Sequence, residues 1–210
     1  MEAFGIVLAI SVALALGAMS PGPSFIVVAR MALANSRVSG LAAAVGMGIG
    51  GFLFSILALL GLTALLATVP VLYLSLKVLG GMYLIYVGFR LWRGAREPIE
   101  FSRPDAREQS SILRSFVIGL ATQLSNPKTA LVYAGVFTAF LPSESPHSLL
   151  VVLPITVLIV ETGWYSLVAI VLSAPVHRAR YLKLKMWIDR AAGVAMAALG
   201  TKLIVEATPT

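Results

Sequence analysis

The stretch Leu124-Ser125-Asn126-Pro127-Lys128-Thr129 interrupts an apolar run that extends from residue 112 to residue 141. Proline removes a backbone donor and clashes with the preceding turn, and a charge at bilayer depth costs on the order of 2.5–3.5 kcal/mol. One uninterrupted helix does not take both without a reason. Asn126 suits an N-cap and Pro127 suits the first position of a new helix, so the run is predicted as two half-helices meeting near mid-membrane. The second half-helix turns its N-terminus, with its partial positive charge, into the protein. Ends of this kind face anionic groups in secondary transporters built on broken helices. A second break, Ser20-Pro21-Gly22-Pro23, lies in the first apolar run.

The rest of the chain places these breaks in a membrane. Of 210 residues 59% are hydrophobic, and the mean hydropathy is +0.93, above the range of soluble domains. Six spans are predicted, at residues 4–36, 40–67, 71–91, 112–141, 148–174 and 185–205, each long enough for a core that needs about 20 helical residues. The N-terminus, Met1-Glu2-Ala3-Phe4, has no basic segment of the secretory type, so the first span is expected to belong to the mature fold.

A net charge of +7 raises the question of nucleic acid, which the position of the charges answers. Arg30 and Arg37 flank the first connection, Arg90, Arg93, Arg96, Arg103, Arg107 and Arg114 the third, and Arg178, Arg180, Lys183, Lys185 and Arg190 the fifth. The second and fourth connections carry neither Lys nor Arg. The positive-inside rule then sets connections one, three and five in the cytoplasm and both termini outside, leaving no call for a nucleic-acid partner. With no cysteine there is no disulfide, thiolate metal site or thiol chemistry, and nothing asks for a cofactor.

Gly193, Gly200, Lys202 and Leu203 each follow Gly81, Gly88, Arg90 and Leu91 by 112 positions, and the same shift carries Gly51-Phe52 onto Gly163-Trp164. The Ser20 and Ser125 breaks are 105 apart, a difference the longer fourth connection absorbs. Three spans per repeat is an odd number, so the second copy crosses in the opposite sense, an inverted repeat. The expected fold is therefore an all-α integral membrane protein of six transmembrane helices in two inverted three-helix repeats, the first and fourth helices broken. It forms one domain over residues 1–210, with repeats at about 1–93 and 112–210 and a cytoplasmic linker at about 94–111. Gly46 and Gly50 form a small-xxx-small pair for close helix packing within the chain or between subunits, which leaves a homo-oligomer open.

Lys77, Lys128 and Glu161 stand out as ionisable residues inside the predicted spans. Lys128 adds a full charge to the half-helix end, and together they suit a substrate carboxylate; the plainer alternative is a structural pair with Glu161. Glu161 suits a substrate ammonium or a coupling proton. Lys77 serves the site equally well or snorkels to the outer interface. Gln123, Asn126, Ser24 and Thr129 either satisfy backbone freed by the breaks or touch a ligand. Tyr133 and Trp164 either line a cavity or pack.

Ser20-Pro21-Gly22-Pro23, Lys77 ahead of Gly80-Gly81-Met82-Tyr83-Leu84-Ile85-Tyr86-Val87-Gly88, Asn126-Pro127-Lys128, Glu161-x-x-Trp164 and the Ala192-Gly193 to Gly200 pattern together resemble the lysine exporter (LysE/RhtB) family, over essentially the whole chain. The resemblance implies a bacterial inner-membrane exporter of amino acids or close derivatives, driven by proton motive force, with the amino acid, protons and the lipid bilayer as its partners. The family often has Asp before the Trp, where this chain has Glu161. Expected site residues are Lys128, Asn126, Pro127, Ser20, Pro21, Gly22, Pro23, Glu161, Lys77 and Trp164, with Glu161 for the proton. Efflux of a divalent cation is the runner-up, disfavoured because the middle of the spans offers one carboxylate, Glu161, and neither His nor Cys. An enzyme is not expected, since no in-span Ser/His or paired-Asp set is present, and a scaffold has no need of two broken helices with ionisable groups.

Overall fold

The computed structural model describes residues 2–19, 21–68, 70–98, 111–141 and 147–207. Among these the chain is helical, without strands: α1 (Glu2–Met19), α2 (Pro23–Ala34), α3 (Arg37–Thr68), α4 (Pro70–Gly94), α5 (Ile112–Leu124), α6 (Pro127–Phe140), α7 (His147–Ser173) and α8 (Pro175–Val205). The stretches Arg37–Leu62 and Ser148–Ser173 are each 26 residues long and apolar enough to cross a membrane. The bent pair α1 and α2, inclined at 62°, makes a third by length and composition if the two are one span. This is a membrane protein by its surface as well. Leu53, Leu57 and Leu60 on α3, and Val151, Ile155 and Ile159 on α7, are all more than two-fifths exposed and recur every three or four residues. Such a stripe is compatible with lipid and not with water.

Both breaks form where local chemistry demands them. Ser125 ends α5, its N–H donating to the Ala121 carbonyl at 3.0 Å. Asn126 is extended (φ −81°, ψ 105°), and its Oδ1 accepts from the Lys128 backbone N–H at 3.0 Å with Pro127 at the first helical position. At the first break Gly22 is also extended and Pro23 opens α2, but Gly22, as the N-cap, has no side chain to cap this end.

The connection expected at residues 175–184 is helical. After the extended Ala174, Pro175 starts a continuous 31-residue α8, so Arg180, Lys183 and Lys185 ride on helix and not on a loop. The basic density that reads as a connection is compatible with helix because Lys185 finds partners four residues on and on the neighbouring helix. Its Nζ pairs with Asp189 Oδ2 at 2.7 Å and donates to the carbonyls of Gly94 and Ala95 at 3.1 and 3.3 Å. Both members of the pair are buried, and they pin α8 to the C-terminal end of α4. Of the expected linker, residues 99–110 lie outside the described residues, as do residues 142–146 of the fourth connection.

Lipid is as apolar as leucine, so close backbone approach and hydrogen bonds hold membrane helices together. On α4 and α8 the approach is made by glycine. A Cβ on Gly88 would lie 2.5 Å from the Gly193 carbonyl oxygen, and one on Gly81 would lie 2.7 Å from the Gly200 carbonyl oxygen. Gly46 and Gly50 pack against Phe116, Leu120 and Gln123 of α5, which gives the small-xxx-small pair a partner within the chain. Two apolar clusters flank the centre of the molecule. One joins α1, α6 and the first half of α7 around Leu14, Tyr133, Phe137 and Leu153; the other joins α2, α3 and the second half of α7 around Phe25, Met47, Tyr165 and Leu172.

Candidate functional site

Between these clusters runs a chain of buried polar side chains. Asn126 Nδ2 donates to Ser24 Oγ at 2.9 Å, Ser24 Oγ donates to Gln123 Oε1 at 2.7 Å, and Gln123 Nε2 donates to Glu161 Oε2 at 3.1 Å. Tyr133 Oη donates to the other oxygen, Glu161 Oε1, at 2.9 Å. Ser24, Gln123, Asn126, Tyr133 and Glu161 are each at most 5% exposed. Every bond in the chain points its donor toward the carboxylate, which is the arrangement an anion requires, since an ionised carboxylate only accepts. Unpaired, that charge would be costly to bury; here two donors hold it.

The breaks bring the other charge to the same place. Lys128, in the first turn of α6, donates through Nζ to the Gly17 carbonyl at 3.1 Å. Gly17 is in the last turn of α1, where carbonyls without a helical partner carry partial negative charge. Lys128, Asn126, Glu161, Gly22, Ser24 and Tyr133 all line one cavity of about 20 Å³, room for about one water. It must widen to admit anything larger.

Of the expected site residues, Lys128, Asn126, Glu161 and Gly22 thus meet around one void. Pro23 and Pro127 open the two helices and Pro21 precedes the first, without lining it. Ser20 lies outside the described residues. Lys77 is half-buried on α4 and does not line the cavity. Trp164 lines a neighbouring cavity of about 250 Å³ between α2, α7 and α8, which shares Phe25 with the first. Sequence reasoning passes over Tyr165, a buried member of the lining. It also leaves open the part played by Ser24, Gln123 and Tyr133. Their polarity beside a break is the available signal, but the partner is a matter of tertiary structure. Among the described residues no group of three or more His, Cys, Asp or Glu side chains is placed to hold a metal ion.

The family model described as LysE type translocator matches residues 15–207. The chain belongs to the LysE type translocator family. As a LysE-type chain it is a transporter and not an enzyme. It is 31% identical over 189 residues to the threonine efflux protein of Escherichia coli (strain K12), covering 90% of this chain and 92% of that one. To the threonine efflux protein of Salmonella typhi it is 32% identical over 190 residues, with the same coverage of 90% and 92%. A protein of Haemophilus influenzae described as an uncharacterized membrane protein is 30% identical over 191 residues, 90% of each chain. No solved structure matches this LysE-type chain.

Proposed function

We propose that this LysE-type protein is a secondary exporter of amino acids or close derivatives across the bacterial inner membrane, coupled to protons. The observation that carries the reading is the placement of Lys128 and Glu161, opposite charges, around one buried void where two helix breaks meet. An amino acid presents the complementary pair, a carboxylate and an ammonium. The efflux relatives, whose printed substrate is threonine, support the same class.

In this reading the substrate carboxylate sits between the Lys128 ammonium and the uncapped N-terminal turn of α2 at Gly22. Asn126 already caps α6, whereas the N-cap of α2 is Gly22, which has no side chain to accept from the first turn. Glu161 takes the ammonium or the coupling proton. Each of its oxygens accepts one hydrogen bond, from Gln123 and from Tyr133, and keeps a lone pair free to take a proton. The prolines shape the breaks.

The architecture we assign is one transmembrane unit of six spans, α1/α2, α3, α4, α5/α6, α7 and α8, in two inverted repeats. Basic connections lie in the cytoplasm and both termini outside. The α4–α8 glycines support it. Under the 112-residue shift Gly81 corresponds to Gly193 and Gly88 to Gly200, and the contacts are Gly81 with Gly200 and Gly88 with Gly193. Exchanging the two repeats turns one contact into the other, as a two-fold axis between inverted copies requires.

Outward flux of a panel of amino acids from expressing cells, with and without a protonophore, tests the function against Lys128→Ala protein of verified membrane insertion. Protonophore-sensitive export of at least one amino acid, lost in the variant, is expected. Unchanged export by Lys128→Ala would remove the site assignment, and no amino acid export by the parent would remove the substrate class.

A further inference from the structure

The charged cavity has room for about one water, and an amino acid has a third part that neither Lys128 nor Glu161 addresses. Its side chain needs a compartment of its own. The cavity of about 250 Å³ adjoins the charged one across Phe25, a fully buried ring that lines both. On its far side Phe25 stacks on Tyr181 of α8, centroids 5.8 Å apart and planes inclined by 22°. Trp164, Val168 and Val171 of α7 form much of the opposite wall, and the wall exposes only apolar atoms.

Resting on the amino-acid reading above, we infer that this second cavity receives the substrate's side chain and selects a large apolar one, of the size of leucine, methionine or phenylalanine. Volume and chemistry both lead there. An enclosed apolar cavity of about 150 Å³ admits benzene; this one, about 250 Å³ and open on the side where Leu167 is half exposed, accommodates a branched aliphatic or aromatic group with room to reorient. A hydroxyl or ammonium in it would meet no partner, and an unmet polar group there weakens binding by about tenfold or more. Threonine, the substrate named for the efflux relatives, carries such a hydroxyl. Among the described residues the buried Trp164 Nε1 and Tyr181 Oη have no hydrogen-bond partner, yet neither surfaces in the void, so they do not offer it a polar contact. Movement of the Phe25 ring joins the two cavities, with the charged end of the substrate left against α2, α6 and Glu161 and the side chain lodged between α2, α7 and α8.

The test is export by purified full-length protein in liposomes, with radiolabelled leucine, phenylalanine, alanine, threonine and lysine as substrates. Two filling variants, Val171→Phe and Leu167→Trp, accompany the parent. Leu167 lines the cavity and is half exposed, so a larger side chain there leaves the fold intact even if Val171→Phe does not. Leucine and phenylalanine are expected to exceed alanine, threonine and lysine about tenfold in kcat/KM, and the leucine-to-alanine ratio is expected to fall about tenfold in the variants. Threonine or lysine moving as well as leucine overturns the inference. So does a leucine-to-alanine ratio unchanged in every inserted variant, the result if a lipid acyl chain fills the cavity. Amino acids exported without apolar preference leave the exporter reading standing and sink only this one. If the parent exports no amino acid, the exporter reading fails and this inference goes with it.

Discussion

Replacing Tyr133 by Phe removes one oxygen from the centre of the protein and leaves the ring in place. The edge contact with Phe54 (6.1 Å) and the tilted one with Phe137 (5.8 Å) survive, so packing is conserved. What is lost is the 2.9 Å donation to Glu161 Oε1, with Gln123 left as the donor on the other oxygen. A hydrogen bond to a charged group is worth about 1.5–3 kcal/mol and a neutral one about 0.5–1.5 kcal/mol. Glu161 is 3% exposed, so bulk water does not reach it, and the adjoining cavity has room for only about one water. Tyr133→Phe is therefore expected to destabilise the protein by about 2 kcal/mol in detergent unfolding by heat or by SDS. Repeating it in a Glu161→Gln background, where the acceptor is neutral, should cost about 1 kcal/mol, a coupling of about 1 kcal/mol in the double-mutant cycle. Equal costs in the two backgrounds would refute the view of Glu161 as an anion held by two donors.

Further outcomes follow from packing and charge. Gly88→Val and Gly193→Val each force α4 from α8, and each is expected to cost about 1–3 kcal/mol, the two matching because they act on one reciprocal contact; unfolding midpoints decide it. Asp189→Asn leaves the buried Lys185 ammonium without its counter-charge and should cost about 3 kcal/mol. Glu206→Gln, which breaks the exposed 3.7 Å pair with Lys202, should cost less than about 0.5 kcal/mol in the same assay. Tyr181→Phe removes a buried hydroxyl that has no partner among the described residues, so its midpoint should stay level or rise, and a clear drop would mean the hydroxyl is engaged.

The two helix breaks are legible in the sequence because their causes are local. Asn126 caps and Pro127 initiates by chemistry within three residues, and the structure repeats that reading bond for bond. Glu161 is legible for a different reason, as a charge in an apolar run that needs a partner. The partners are not. Ser24 and Gln123 are 99 positions apart, and no periodicity or spacing brings α2 to α5. Tyr133 is hidden by its own ring, since an aromatic on a buried helix face satisfies a packing argument before its hydroxyl is considered. The start of α8 is misread because Arg180, Lys183 and Lys185 look like a connection. The Lys185–Asp189 spacing of four is the local sign that helix is already under way there.

At the site, among the described residues, α1–α4 and α5–α8 are tied by few side-chain bonds. Ser24 donates to Gln123 and accepts from Asn126, and Lys128 donates to the Gly17 carbonyl. The remaining bonds of the chain lie within α5–α7. Widening the void between the two sets of helices means breaking these ties, and a substrate offering a carboxylate to Lys128 replaces one of them. Ser24→Ala removes two at once. At about 1 kcal/mol net for each, the closed arrangement loses about 2 kcal/mol, and the population of the open one rises about 30-fold. The absence of any native cysteine allows a direct reading. Thr129→Cys places one thiol on the wall of the void in place of a buried side chain of similar size. Its rate of modification by a water-soluble thiol reagent follows the open population when closing is faster than labelling. Labelling about 30-fold faster with Ser24→Ala is expected. An unchanged rate would mean that the two sets of helices are held together elsewhere and that the buried polar chain orients Glu161 without guarding the entrance to it.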